Sequence, residues 1–443
     1  MHPPLLLSCA TLLRRSLVLL GAALATTSLA HPIHPLAQEH VVVGESPDPR
    51  TIPLYTPSIL RLEGGRLVAS YEHGGEARKA GPWAVILTSD DAGRTWTERT
   101  RTRMVHGRLF ESGDALYYLG HDSDLRVCRS VDRGVSWSEP RELTHGQEWH
   151  QTAANVWMTG GHVYLVMERR TSREIDAWPV GELAPVLMRA KATDDLTRRE
   201  SWTFASELTF AELIPGYKQN TPALDFFGVP FHRQSYPGRT QLGNRRNFSP
   251  LGWLETNVVQ LTDPDHVWND PTGKTFHLFM RANTGMTGYA AVAKVVENDD
   301  GTMTTSLVEN PAGKTMLFLP FPGGQMRFHV LFDERTKLYW LLGTQATDSM
   351  RRVNRLPADR YGASDNERQR LVLHFSRNMV DWCFAGIVAA GGSAREARHY
   401  ASMAVDGDDL VVLSRSGDQR ARSAHDGNLI TFHRVRNFRD LVY

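Results

Sequence analysis

Short runs in which apolar residues alternate with polar ones dominate the chain, and helical periodicity is scarce. The segment PSILRLEGGRLVASYE (57–72) reads as a strand, a Gly turn and a returning strand. The same frame recurs around Gly113, Gly160, Gly273 and Gly407, with Gly64 as the first. Three positions after each of these glycines stands a bulky apolar residue: Leu67, Leu116, Val163, Phe276 and Leu410. A sixth copy, FHVLFDERTKLYWLLG (328–343), keeps the strands without the Gly. A second repeat overlies the first. Ser89-Asp90-Asp91-Ala92-Gly93-Arg94-Thr95-Trp96 and Ser130-Val131-Asp132-Arg133-Gly134-Val135-Ser136-Trp137 both read S-x-D-x-G-x-[ST]-W. Degenerate copies occur at Ala192-Thr193-Asp194 with Trp202, and at Ser376-Arg377-Asn378 with Asp381-Trp382. Such a box makes a hairpin turn: the Asp accepts backbone N–H groups, the Gly takes a positive φ and the Trp packs between sheets.

Six strand–turn–strand units and four Trp-bearing hairpins predict an all-β chain, a six-bladed β-propeller of four-stranded antiparallel blades. A β-sandwich with a second domain is the alternative. HVVVG (40–44) offers the strand that closes the ring. Residues 203–252, rich in Pro, Gly, Asn and aromatics, are too long for an ordinary connection and read as an excursion over one face. The first 30 residues read as a signal peptide: Arg14-Arg15, the apolar run SLVLLGAALATTSLA and a small-x-small site at Ser28-Leu29-Ala30. This predicts a single propeller domain over 31–443, periplasmic or secreted.

Composition narrows the function. Lys+Arg is 50 and Asp+Glu 49, so no basic footprint points to nucleic acid. No second long apolar stretch predicts a membrane span. Cys128 and Cys383, the cysteines outside the leader, stand in no CxxC or CxxH pattern, so neither a disulfide framework nor a thiolate zinc site is expected. No cofactor and no metal is expected, and the chain reads as a monomer.

Strand phasing supplies the candidate site. The residue eight after each turn Gly returns to the entry face of the propeller, and there stand Glu72, His121, Glu168, Arg281 and Arg415. Ionisable groups at partly buried strand ends are costly unless paired or used. The site face is therefore expected opposite the box turns. Eighteen His include His73, His106, His121, His150, His399 and His425 at strand ends or blade edges. Neutral His is a plausible general base near neutral pH.

The boxes and the strand frame resemble the sialidase (neuraminidase) superfamily of propellers, over most of the mature chain. The resemblance implies an exo-glycosidase acting on an anionic sugar of a glycan or oligosaccharide. Leu254-Glu255-Thr256-Asn257-Val258-Val259 matches the family's Glu-bearing inner strand, and Phe279-Met280-Arg281 the strand end that carries an Arg. Arg398-His399-Tyr400-Ala401-Ser402-Met403 matches its Tyr-bearing strand. The resemblance thus implies Tyr400 as nucleophile, Glu255 as its base and Arg281 as one carboxylate clamp. A phenol suits an anionic sugar, which would repel a carboxylate nucleophile.

The departures matter too. The family's Arg-Ile-Pro is Tyr55-Thr56-Pro57 here, so the first clamp Arg is missing. EHGGEARKAGPW (72–83) holds no Asp, leaving Glu72, His73 or Glu76 as acid/base. Arg327, Arg351 and Arg352 are candidates for a third clamp by region. Arg415, His121, His150 and Glu168 complete the expected substrate-binding set. Two readings compete with the hydrolase: a polysaccharide lyase or other glycosidase using His and Tyr, and a non-catalytic glycan-binding propeller.

Overall fold

A computed structural model describes residues 34–443 except 152, 176–177, 214–239, 243–245, 249–251, 284–287, 310–311 and 348–366. The signal-peptide reading, most of the 203–252 excursion, and Arg351 and Arg352 lie outside the described residues.

The chain opens with β1 (Val41–Glu45). The first blade follows: β2 (Leu54–Arg61), β3 (Leu67–His73), β4 (Ala84–Ser89) and β5 (Thr97–Thr102). The second comprises β6 (Val105–Ser112), β7 (Ala115–Asp122), β8 (Asp124–Ser130) and β9 (Arg141–Glu142). In the third, the inner strand is broken into β10 (Trp149–Gln151) and β11 (Trp157–Thr159). Both pair with β12 (His162–Arg170), and β13 (Leu183–Lys191) and β14 (Trp202–Phe204) complete that blade. The first residues assigned to the excursion thus belong to an outer strand, followed by the short helix α1 (Phe210–Leu213). A small hairpin, β15 (Thr240–Leu242) with β16 (Arg246–Phe248), precedes the fourth blade.

That blade is β17 (Gly252–Val259), β18 (Thr275–Asn283), β19 (Tyr289–Glu297) and β20 (Met303–Ser306). A two-stranded pair, β21 (Val308–Glu309) and β22 (Thr315–Met316), follows, and β23 (Phe318–Pro320) adds to β19. The fifth blade is β24 (His329–Asp333), β25 (Leu338–Thr344), β26 (Arg370–Ser376) and β27 (Cys383–Ala390). The sixth is β28 (Arg398–Asp406), β29 (Asp409–Ser416) and β30 (Leu429–Val435), with β1 as its outer strand. The six-bladed propeller is therefore the fold, and the HVVVG segment closes it.

The core lies in sectors between blades, because each sheet is buried on both faces. In β3, Leu67, Ala69 and Tyr71 pack toward the sixth blade, with Leu413 and Phe432. Val68 points the other way, against Leu109, Leu116 and Tyr118 of the second blade. A period of two with both faces covered turns the strand into a continuous apolar run.

The box turns behave as their residues dictate. Asp91 Oδ1 accepts the Thr95 amide at 2.9 Å and the Ser89 hydroxyl at 2.9 Å. Asp132 does the same with the Ser136 amide at 2.9 Å. Gly93 has φ +89°, and a Cβ there would meet the Phe432 ring of the sixth blade at 2.4 Å. Trp96 and Trp137 donate Nε1–H to the carbonyls of Gly93 and Gly134 at 3.1 Å. Both indoles are half-buried and pack against the core sectors beside them.

Inner strands carry a ring of their own. Ser58, Asn155, Asn257, His329 and Ser402 each accept a backbone N–H from the inner strand of the next blade, at Leu109, Val258, Val330, Met403 and Ile59. The bond from Ile59 to Ser402 joins the first blade to the sixth.

Candidate functional site

Antiparallel pairing places the start of each inner strand beside the end of the second strand, at the end of the blade away from the box turns. Tyr55 faces Glu72, Val105 faces His121, Gln151 faces Glu168, Leu254 faces Arg281 and His399 faces Arg415. The expected ring of polar strand ends therefore shares one mouth, opposite the boxes.

The inner strands bulge at that mouth. Pairing slips between Tyr55 and Ser58, Val105 and Arg108, Leu254 and Asn257, and His399 and Ser402. Inside each slip sits a non-Gly residue with left-handed backbone: Thr56 (φ 47°), His106 (53°), Glu255 (60°) and Tyr400 (51°). Such a conformation costs about 1–3 kcal/mol per residue, and bulges of this kind re-aim side chains. Here they turn four side chains into a cleft of about 240 Å³, whose lining also includes Tyr55, Arg78, Gln151, Trp178, Arg327, Arg415 and His425.

Tyr400 and Glu255 are joined through Arg281. The guanidinium Nη1 donates to the Tyr400 hydroxyl at 2.5 Å and to Glu255 Oε2 at 3.3 Å. Its Nε donates to the Gln325 carbonyl at 2.9 Å, and the Trp178 ring lies over it at 5.1 Å. The expected direct bond from Tyr400 to Glu255 is replaced by this bridge among the described residues. Two further cations face the phenol ring: Arg415 at 5.2 Å and Arg368 at 5.4 Å. Arg327 donates to the Tyr400 carbonyl at 3.3 Å. Burial lowers the pKa of Arg327, with Glu255, Tyr400 and Glu168 opposing, and lowers that of Arg415 to about 10. Arg415 also stacks on Tyr55 at 4.1 Å, and the Tyr55 hydroxyl donates to Asp426 at 2.7 Å.

The opposite wall is built on histidine. His106 Nδ1 lies 2.8 Å from the His150 carbonyl and 3.1 Å from His121 Nε2. Donation to that carbonyl places the proton on Nδ1 and leaves Nε2 bare. Burial, then Arg78 and His150, hold the His106 pKa well below its ordinary value. Behind it, Glu72 is 1% exposed. It accepts the Thr56 hydroxyl at 2.8 Å and the His106 amide at 3.4 Å, with Arg78 Nη2 at 3.4 Å. Burial raises its pKa against the pull of Arg78.

Of the residues selected from sequence, Tyr400, Glu255, Arg327 and Arg415 line the cleft, and Arg281 touches Tyr400 from beneath. Glu72, His121, His150 and Glu168 stand behind the wall. Glu168 is fully buried and staples blades three and four: its Oε1 takes the Thr256 amide at 2.9 Å and the Thr256 hydroxyl at 2.7 Å. Burial pushes its pKa up to about 7. Arg78, Trp178 and Arg368 complete the site without having been legible. Arg78 sits in the Asp-free loop already noted, but Trp178 and Arg368 lie in connections with no repeat phase. Among the described residues no group of three or more His, Cys, Asp or Glu is placed to hold a metal. No helix there is long and apolar enough to cross a membrane.

Neither a family model nor a curated protein sequence matches the chain. Solved structures do. A mutant Trypanosoma rangeli sialidase displaying trans-sialidase activity aligns with TM-score 0.51 and 13% identity, over 92% of this chain and 60% of its own. A Hadza microbial sialidase aligns with TM-score 0.50 and 13% identity, over 90% of this chain and 68% of its own. A Penicillium chrysogenum alpha-L-arabinanase complexed with arabinobiose reaches TM-score 0.48 at 12% identity, over 92% of this chain and 100% of its own. At these identities the likeness is one of fold.

Proposed function

We propose that this protein is a propeller glycoside hydrolase that removes a carboxylate-bearing sugar from the end of a glycan. The observation that carries the reading is the Arg281 bridge. One guanidinium nitrogen holds both the Tyr400 phenol and the Glu255 carboxylate, in a cleft that Arg327, Arg415 and Arg78 make cationic. In this mechanism the substrate carboxylate meets Arg327 and Arg415. The Tyr400 oxygen attacks the anomeric carbon, the glycosidic C–O bond breaks, and Glu255 takes the phenol proton. Arg281 stabilises the charge developing on the phenol oxygen. Glu72, whose pKa burial raises, is the source of the leaving-group proton in this mechanism. Water then cleaves the glycosyl–tyrosine bond, with the proton transfers reversed. Behind a cleaved leader, the enzyme works in the periplasm or outside the cell.

One observation favours elimination instead. Among the described residues lining the cleft Glu255 is the one carboxylate, while neutral His106 faces it across the mouth. A bare His nitrogen can abstract the proton beside a uronate carboxylate. Incubating the protein with sialosides and with uronic-acid glycans in H₂¹⁸O decides between them. Hydrolysis labels the released sugar, while elimination gives an unlabelled, unsaturated product absorbing in the near ultraviolet. No turnover of either class overturns both readings and leaves a glycan-binding module.

A further inference from the structure

On the face of the box turns, the central channel opens into a cavity of about 640 Å³ that the glycosidase reading does not use. Its walls mix apolar side chains, Ile59, Val156, Val330 and Met403 among them, with polar ones. Its inner end is Arg108, two residues after His106 on β6 and one layer beneath the cleft. Arg108 is 5% exposed, and no carboxylate pairs with it among the described residues. Glu111 and Glu334, which also line the cavity, are exposed, and Arg61 is paired with Asp406.

Arg108 occupies the one place in the inner ring where an acceptor is missing. The other five blades put Ser, Asn or His there, each accepting an amide of the next blade. A guanidinium has no acceptor to offer. The amide that would use it, Val156 N–H, finds no partner among the described residues. Arg108 instead crosses the axis: Nη1 donates to Ser402 Oγ at 3.0 Å, and Nη2 meets His329 Nε2 at 2.8 Å. His329 Nδ1 already accepts the Met403 amide at 3.0 Å, so the proton of a neutral ring lies on Nε2, donor facing donor. Ser402 Oγ accepts from Ile59 and from Arg108, and its own proton has no acceptor among the described residues. Arg108 Nε is buried without a partner. Donors and a positive charge therefore converge on the axis with nothing negative to receive them. A buried charge without compensation is strongly destabilising.

We infer that the axial cavity binds one monovalent anion, a halide or the carboxylate head of a small apolar acid, with Arg108 as its main ligand and His329 and Ser402 as supporting donors. One guanidinium with two neutral donors beside it balances a single negative charge, which favours a monoanion over sulfate or phosphate. The test uses the mature chain and follows thermal unfolding at constant ionic strength while bromide, or in a second arm hexanoate, replaces fluoride. The wild type should rise saturably by about 1–3 °C in at least one arm. Arg108→Asn restores an acceptor to the ring, as Asn155 and Asn257 show, so it should fold and lose the response. A response in one arm only assigns the source as inorganic or organic. Bromide-soaked crystals of the wild type give a readout independent of the variant: an anomalous peak against the Arg108 guanidinium. An equal rise in Arg108→Asn, no rise in either wild-type arm, or a bromide response without that peak overturns the inference.

Discussion

Tyr400 presents its phenol from a left-handed backbone position, and one nitrogen of Arg281 fixes that phenol and the neighbouring carboxylate together. Tyr400→Phe keeps the ring between Arg415 and Arg368 and removes only the oxygen. It should melt like the wild type and lose about 10²–10⁴-fold in turnover of a carboxylate-bearing glycoside; full turnover would end the nucleophile role. Arg281→Lys keeps charge but not the fork. Because Nη1 serves groups inside the protein, the loss should fall on kcat more than on KM, which steady-state kinetics resolves. Glu168 makes a prediction about pH. Its pKa is about 7 folded and about 4.3 unfolded, so the folded state holds the extra proton. Its contribution is present below about pH 4 and is lost as pH rises through 7. Glu168→Gln mimics the protonated form and should gain about 1–3 kcal/mol over the wild type at pH 8, with the difference vanishing near pH 4 in denaturant titrations.

At the scale of elements, the box hairpins tie stability to acid without touching the chemistry. The Asp91 pKa is lowered to about 2, first by the hydrogen bond from the Thr95 side chain and then by the Thr95 amide. Asp91→Ala should lower the melting temperature at neutral pH and leave activity per folded molecule intact. The gap between variant and wild type should close as pH falls from about 4 through 2, since the depressed carboxylate contributes only while ionised. These turns were legible because Asp, Gly and Trp each have one job at a fixed offset. The strand-end residues were legible for a similar reason: a period of two and a Gly turn fix where each strand returns. The four bulges were not. A left-handed φ is ordinarily announced by Gly or Asn, and here it falls on Thr56, His106, Glu255 and Tyr400, inside the register slips of the inner strands. Phasing therefore found Arg281 and Arg415 on the second strands. On the inner strands it could place Glu255 and Tyr400 only through a family likeness.

Across the whole molecule, the site gathers side chains from every part of the chain, and this is why the rest of it escaped the sequence. Arg78 comes from a first-blade loop, Trp178 from a third-blade connection and Arg368 from the approach to β26, and no spacing rule links them. Their convergence depends on the ring being shut. The N-terminal segment shuts it: Leu36 and Ala37 donate to the carbonyls of Ile387 and Val388, and Val41 to Glu45 pair along β30. Removing residues up to 46 should broaden and lower the melting transition and abolish turnover. A synthetic peptide spanning 35–46, added in excess, should restore part of both; a shortened chain with wild-type melting would refute the clasp. The same clasp has a consequence for biosynthesis. Translation delivers β1 long before β30, and the long separation between partners makes their meeting slow. Every blade but the last can assemble as it emerges, while the first strand waits beside an unfinished ring. A chain terminated anywhere before Leu429 leaves that strand without its mate and its apolar edge open to proteases. Closure of the ring is thus checked by the fold itself, before any substrate is met.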